Sequence, residues 1–276
     1  MSIAGVLQIN LLLFSKISCD IIISQIRRKH TMNELLKEID NLKEQVDALR
    51  PLKNGELKQL KEYFKVSLTF TSNALEGNSM DETETKIILE DGLTIGGKSL
   101  REHFEVIGHG AAYDHISALA TGDKITETDI KKIHYLFYRH IDEGNAGKYR
   151  KSRVYITGSE HIPPQPKDVP YLMKEFVARL PKLKADNHPV IYAALAHKEF
   201  VTIHPFVDGN GRVARLLMNL ILLQAGYLIA IIPPVLRRQY IKSLEKAQVA
   251  KNDTDYLKLI CQCVKETQRD YIRMLK

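Results

Sequence analysis

An all-α helical bundle carrying one short β-hairpin is the fold class this sequence predicts. Three observations lead there. From residue 32 onward, apolar residues recur every three or four positions in segment after segment, the period of a buried helix face. Prolines fall at the ends of those segments, where a helix tolerates them. Only "KSRVYITGSEHIPP" (151–164) breaks the rhythm, with the β-branched and aromatic run "VYIT", a Gly158-Ser159 turn and a second short stretch closed by two prolines.

Taken in order, residues 1–31 differ from the rest. They are apolar in short runs, but Lys16 and Asp20 interrupt them before the ~20 residues a spanning helix needs. A secretory signal wants a basic start and a small-residue cleavage site, and neither is evident. The segment is expected to be a loosely packed arm or an over-long start, with translation beginning at Met32; a natural peptide ending before Met32 would refute this. In "NELLKEIDNLKEQVDALR", Leu35, Ile39, Leu42, Val46 and Leu49 form a short heptad seam, stopped by Pro51. The seam packs on its own domain or, alternatively, on a second copy of the chain. Helices follow over about 55–75, 83–90, 100–119, 127–140, 168–180 and 188–202, with Thr126 and Asp129 forming a capping box. Further helices cover 211–225, 235–249 and 254–274, and Pro233-Pro234 separates the first two. An isolated hairpin is marginal in water, so 151–164 leans on the helices or awaits a partner strand. There are no internal repeats.

Composition narrows the function. The chain's 276 residues, 44% hydrophobic and 26% charged, can bury one large core or two small ones. Three cysteines (Cys19, Cys261, Cys263) cannot make a paired disulfide framework, so reduced thiols and a cytoplasmic location are expected. Of the net charge of +7, Lys16, Arg27, Arg28 and Lys29 against Asp20 place +3 in the arm, leaving +4 for the remainder. That excess is too mild for nucleic-acid binding.

Two motifs are decoys. "GLTIGGKS" fits a phosphate-binding loop with Gly92, Gly97, Lys98 and Ser99 in register, but that pattern works only between a buried strand and a helix. A glycine-rich loop between helices is the plainer reading. "DGNGRVARLLMN" (208–219) resembles a calcium loop, yet Arg212 and Asn219 stand where calcium needs acidic oxygens.

The chemistry concentrates in "HPFVDGNGRVAR" (204–215). Gly209-Asn210-Gly211 can aim several backbone N–H groups at one point, an anion nest, and the following helix adds the positive end of its dipole. Arg212 and Arg215 lie on one face of its first turns and can grip phosphate oxygens. Asp208 is a hard oxygen ligand suited to Mg²⁺ on those phosphates. His204 is the one group here able to take up a proton near neutral pH. Together these point to a polyphosphate.

The stretch resembles the signature H-P-F-x-[D/E]-G-N-G-R-x-x-R of Fic-domain proteins at every specified position. From about residue 68 to about 250, "ALEGNSM", "GKSL", "EVIGHGAA", "HIPPQPKDV", "HPVIYAALAH" and "RLLMN" resemble, in order, the catalytic region of the family's animal endoplasmic-reticulum branch. The intact glycines make it unlike the kinase-like Doc branch. The resemblance implies a Fic-type helical bundle that moves AMP from ATP onto a Ser, Thr or Tyr hydroxyl of a target protein. Carried over, His204 is the base, Asp208 holds Mg²⁺, and Asn210 with the nest amides of Gly209 and Gly211 holds the α-phosphate. Arg212 and Arg215 then bind the β- and γ-phosphates, and Tyr240 and Gln248 line the adenine side. The hairpin becomes a flap, Val154, Tyr155, Ile156, Thr157 and Gly158 gripping an extended target segment.

"SNALEGN" (72–78) matches the family's inhibitory pattern through Ser72, Glu76 and Gly77. The resemblance implies that Glu76 pairs with Arg215 and blocks the γ-phosphate in cis. The expected organisation is an uncertain arm (1–31), a helical region with the inhibitory helix (32–100), a Fic core (101–250) and a C-terminal helix on that core (251–276). Expected partners are a target protein at the flap, the chain itself through self-modification, and a homodimer, with no nucleic acid or membrane. The alternatives are an enzyme that removes AMP, or does both, and a nucleotide-gated interaction module.

Overall fold

The computed structural model describes residues 31–49 and 54–275. The doubts over residues 1–30, Cys19 and the Pro51 stop lie outside that range. Ten α-helices are formed among the described residues: α1 (Met32–Ala48), α2 (Asn54–Ala74), α3 (Glu82–Lys86), α4 (Leu100–Leu119), α5 (Glu127–Tyr138), α6 (Val169–Asp186), α7 (Pro189–Ile203), α8 (Asn210–Gln224), α9 (Arg237–Val249) and α10 (Thr254–Leu275).

Sequence explains the middle of the bundle. In α8 every residue from Arg212 to Leu222 is buried: beyond Arg215 the helix is apolar on all sides save Asn219, whose amide exchanges hydrogen bonds with the backbone of Ala230. Around it pack α7, α4 and α5, with α2 against α4 and α6 against α7. The heptad seam of α1 lies within the chain against α10: Leu35, Ile39 and Val46 are buried, and Glu38 pairs with Lys265. That seam is therefore not open to a second copy. Asp40 fixes the same helix from the other side, accepting from Tyr227 Oη (2.6 Å) and from His188 Nε2 (3.0 Å).

Helix ends follow local chemistry. Thr126 and Asp129 make the expected box, and Thr31–Glu34, Asp81–Glu84 and Ser99–Glu102 make three more. The last of these absorbs the phosphate-loop look-alike: Ser99 caps α4, and Lys98 Nζ donates to Ser79 O (2.7 Å) and pairs with Glu84 (3.1 Å). No strand precedes it. Two expectations need adjusting. Helix α6 runs to Asp186 rather than stopping at 180, since Pro181 is exposed and costs only one backbone bond there. The short α3 passes into a wider turn over Ile87–Asp91 before Gly92 ends it in the left-handed region.

The hairpin does not form as a strand pair: no β-strand occurs among the described residues. Residues 153–156 carry no regular structure and a turn follows at 157–158, where Ser159 N donates to Ile156 O (3.2 Å). Two short edges with nothing beside them gain too little to pair.

Candidate active site

The site is built where α7 ends and α8 begins. His204 closes α7 in the left-handed region (φ 52°), a strained setting for a residue with a β-carbon. Its Nδ1 lies 3.3 Å from Val201 O, and a carbonyl only accepts, so the ring proton is on Nδ1 and Nε2 keeps a free lone pair. Burial, aided by the charge of Arg150, pulls the imidazole down to about 4, with Glu76 opposing. The ring is therefore neutral at physiological pH.

The loop 205–209 is held open by its own side chains. Asn210 Oδ1 accepts from Phe206 N and Asn210 Nδ2 donates to Phe206 O, both at 2.9 Å. The amide expected at the α-phosphate is thus committed to pinning the loop, and the nest is left with backbone N–H groups. Gly209 (φ 76°) caps α8 and faces the Phe137 ring too closely to admit a β-carbon. Phe206 is buried and stacks on His134 with centroids 3.7 Å apart. His134 Nδ1 accepts from Gly147 N (2.8 Å), so its Nε2–H donates to Asp208 O (3.2 Å) and fixes the backbone of that residue.

Charge is crowded at the mouth. Arg215 is buried at 2% exposure; it donates from Nε to Ser72 Oγ (2.9 Å) and from Nη2 to both Ser72 O and Glu76 Oε1 (2.8 Å each). Glu76 lies in the turn just past α2, with 36% of its side-chain surface open. Burial pushes its carboxyl up, but Arg215 and Arg212 pull harder and leave it below the ordinary value. Arg237 Nε donates to Leu75 O (2.7 Å), tying that turn to α9. Arg212 pairs with Glu105 (3.0 Å) and lies over the Phe137 ring. Asp208, 40% open, accepts from Arg101 Nη2 (2.6 Å) and from Gly209 N (2.6 Å).

The sequence reading brought His204, Asp208, Gly209, Asn210, Gly211, Arg212, Arg215, Ser72 and Glu76 together, and they converge. Tyr240 needs correcting: it is 4% exposed, and its hydroxyl meets His197 Nε2 (2.8 Å) beneath Arg215 instead of opening toward an adenine. Gln248 donates to Thr202 Oγ1 (3.1 Å), beside the end of α7. Of the flap residues, Tyr155 is 81% exposed while Val154 and Ile156 are half-buried.

Several residues escaped the sequence reading. Arg150, buried in the flap's root, donates to His204 O (2.8 Å), Ser152 O (3.2 Å) and Pro164 O (2.6 Å). Arg101 and Glu105, four apart on α4, meet Asp208 and Arg212 across more than a hundred positions, which no local spacing reveals. His134 likewise gave no signal beyond being one histidine on an amphipathic helix.

Residues 124–222 match the model of the Fic/DOC family. The chain is 38% identical over 242 residues to the Drosophila melanogaster protein adenylyltransferase Fic, covering 86% of this chain and 48% of that one. It therefore spans about half the length of the curated relatives it matches. A fragment of Fic-1 from C. elegans superposes with a TM-score of 0.78 at 29% identity, over 88% of this chain and 71% of that one. A Fic domain containing signaling protein from Bacteroides thetaiotaomicron does so at 0.73 and 31% identity, over 86% and 95%. Fold, motif and relatives agree, and this chain belongs to the Fic/DOC family.

Proposed function

We propose that this chain transfers AMP from ATP to a Ser, Thr or Tyr hydroxyl of a target protein, and that Glu76 holds the activity down. The observation that carries the reading is a neutral imidazole, with its lone pair free at Nε2, placed beside a backbone anion nest and a buried arginine. The name and 38% identity of the Drosophila relative support the same activity.

In the mechanism, His204 Nε2 takes the proton of the target hydroxyl. The oxygen attacks the α-phosphorus in line, the bond to the β-phosphate oxygen breaks, and pyrophosphate departs. N–H groups at the start of α8 hold the charge that builds on the α-phosphate. Arg215 and Arg212 orient the outer phosphates. The donor set suits Mg²⁺, since one partly open carboxylate beside a phosphate site is how that ion is commonly held. Asp208 would bind it, and it would supply charge neutralisation for the leaving pyrophosphate. Arg101 must release Asp208 for this to happen.

Glu76 competes for the arm of Arg215 that a γ-phosphate would use, and its carboxylate lies over Gly211. Residues 153–156, which pair with no strand, would take up a target segment by strand addition. Residues 101–250 serve as the catalytic core, 32–100 carry the brake and 251–276 brace the core. The buried free thiols of Cys261 and Cys263 suit a cytoplasmic setting. Intact-mass analysis of Glu76→Gly with ATP and Mg²⁺ tests the reading. Addition of an adenylyl group to the chain or to a co-incubated protein is expected; no adduct, with ATP shown to bind, defeats it.

A further inference from the structure

We infer that Tyr256, His197 and Tyr240 form a buried positioning chain that fixes the direction of the Arg215 guanidinium, anchoring it to the C-terminal helix α10. The contacts run without a break. Tyr256 Oη donates to Ala194 O (3.1 Å) and lies 2.8 Å from His197 Nδ1; His197 Nε2 lies 2.8 Å from Tyr240 Oη; Tyr240 in turn hydrogen-bonds Arg215. His197 and Tyr256 are fully buried and Tyr240 nearly so.

Both ends of the chain impose one direction on its protons. Arginine has no acceptor, so the Tyr240 hydroxyl cannot aim its hydrogen at Arg215 and must donate it to His197 Nε2. At the far end Ala194 O only accepts, so Tyr256 spends its single hydrogen there. His197 Nδ1 must then carry the ring proton and donate to the Tyr256 oxygen. A neutral imidazole meets both demands at once. Burial and the nearby Arg215 hold the ring at about 3, which keeps it singly protonated.

The result reaches the site. Arg215 commits Nε to Ser72 Oγ and Nη2 to Ser72 O and Glu76, and the Tyr240 hydroxyl meets the same guanidinium. Ser72 and Tyr240 thus hold the guanidinium from two sides, independent of Glu76. When the Glu76 carboxylate leaves, Arg215 is already aimed at the anion that replaces it. Tyr240 and His197 are positioning residues: they act through Arg215 and touch no reacting atom. What the aimed guanidinium grips rests on the function proposed above, while the chain itself does not.

The experiment has a resting-state arm and a nucleotide arm. Long-range ¹H–¹⁵N correlation on the full chain, with His197 assigned by signal loss in His197→Gln, is expected to show the Nδ1–H tautomer. In Tyr240→Phe, solvent exchange of the Arg215 Nε–H is expected to quicken about tenfold, the effect of losing one charge-assisted hydrogen bond. An Nε2–H tautomer, or unchanged exchange, overturns the chain whether or not the protein transfers AMP. In the Glu76→Gly background, Tyr240→Phe is expected to raise the Kd for ATP about tenfold and leave that for AMP unchanged. Equal effects on both nucleotides overturn the role assigned to Tyr240, whereas a Glu76→Gly parent that binds no ATP defeats the functional reading instead. If Tyr240→Phe fails to fold, Tyr256→Phe breaks the far end. It should release His197 into mixed tautomers and quicken Arg215 exchange, and no change in either refutes the inference.

Discussion

The Glu76 carboxylate rests against Gly211, in space that a β-carbon on that glycine would fill. The start of α8 thus has a carboxylate of the protein against it, and a helix N-terminus favours an anion there. Under the function proposed above, this occupant leaves before a phosphate is gripped there.

Glu76→Gly is therefore expected to raise AMP transfer about tenfold or more, the scale of one hydrogen bond between charged groups. Mass-resolved adenylylation over time is the check. A rate equal to that of the unaltered chain would remove Glu76 from any braking role.

His204→Ala in that background should cut transfer by about 10²–10⁴-fold, the usual worth of a positioned base. ATP affinity should be kept, since the ring binds no phosphate. Calorimetric titration beside the rate assay separates the two; transfer that survives assigns the base elsewhere.

The pH profile has a definite sign. With His204 held near 4, the imidazole stays unprotonated, and kcat/KM of Glu76→Gly should be flat from pH 8 to about 5 and fall only below. Losing Glu76 removes a charge that raises the ring's pKa, so the fall should not move upward. An inflection near 6.5, where an ordinary histidine titrates, would contradict the buried, neutral base.

Stability should fall with acid over the same range. His109 and His197 are held at about 3, and His134 and His204 at about 4, by burial, whereas the unfolded chain takes up these protons near 6.5. Stability is then level above about pH 6.5 and is lost as pH falls toward 4. The two fully buried rings contribute roughly 2 kcal/mol each by pH 5. Urea midpoints at pH 7.5, 6 and 5 measure the slope; a midpoint independent of pH contradicts it.

Asn210→Ala tests whether that side chain pins the loop. Two buried backbone groups of Phe206 would lose their partners, costing roughly 2–4 kcal/mol. A drop of that size in urea, seen without nucleotide, is expected. An unaltered midpoint with weakened ATP binding would return Asn210 to the phosphate.

Helix periodicity carried most of the fold, because each amphipathic stripe needs only local spacing to be read. The site was legible where one contiguous stretch supplies it: residues 204–215 carry a helix end, a loop and a helix start in one run of sequence, although His134, Phe137 and Arg150 brace them from elsewhere in the chain. Ser72 and Glu76 were legible through a pattern shared with relatives, since a carboxylate past a helix end has no local reason to be special. Arg101, Glu105, His134 and Arg150 were not, because each matters through a partner dozens of positions away. Tyr240 misled because a tyrosine one turn from a pocket can point into the core, and here His197 offers its hydroxyl a better partner than solvent does. The flap misled through propensity: "VYIT" favours a strand, but a strand needs a neighbour.

One guanidinium, that of Arg150, ties the carbonyl of His204 to those of Ser152 and Pro164. The eleven residues 153–163 thus run between two fixed posts that are also moored to the backbone of His204. Between those posts Glu160 and His161 make further ties, to Glu245 and to Thr202 O, so exchanges confined to 154–158 can be chosen for the protein they capture, whereas exchanges that cut across Ser152, His161 or Pro164 would unmoor His204 as well. Retargeting by grafting has its natural splice points there.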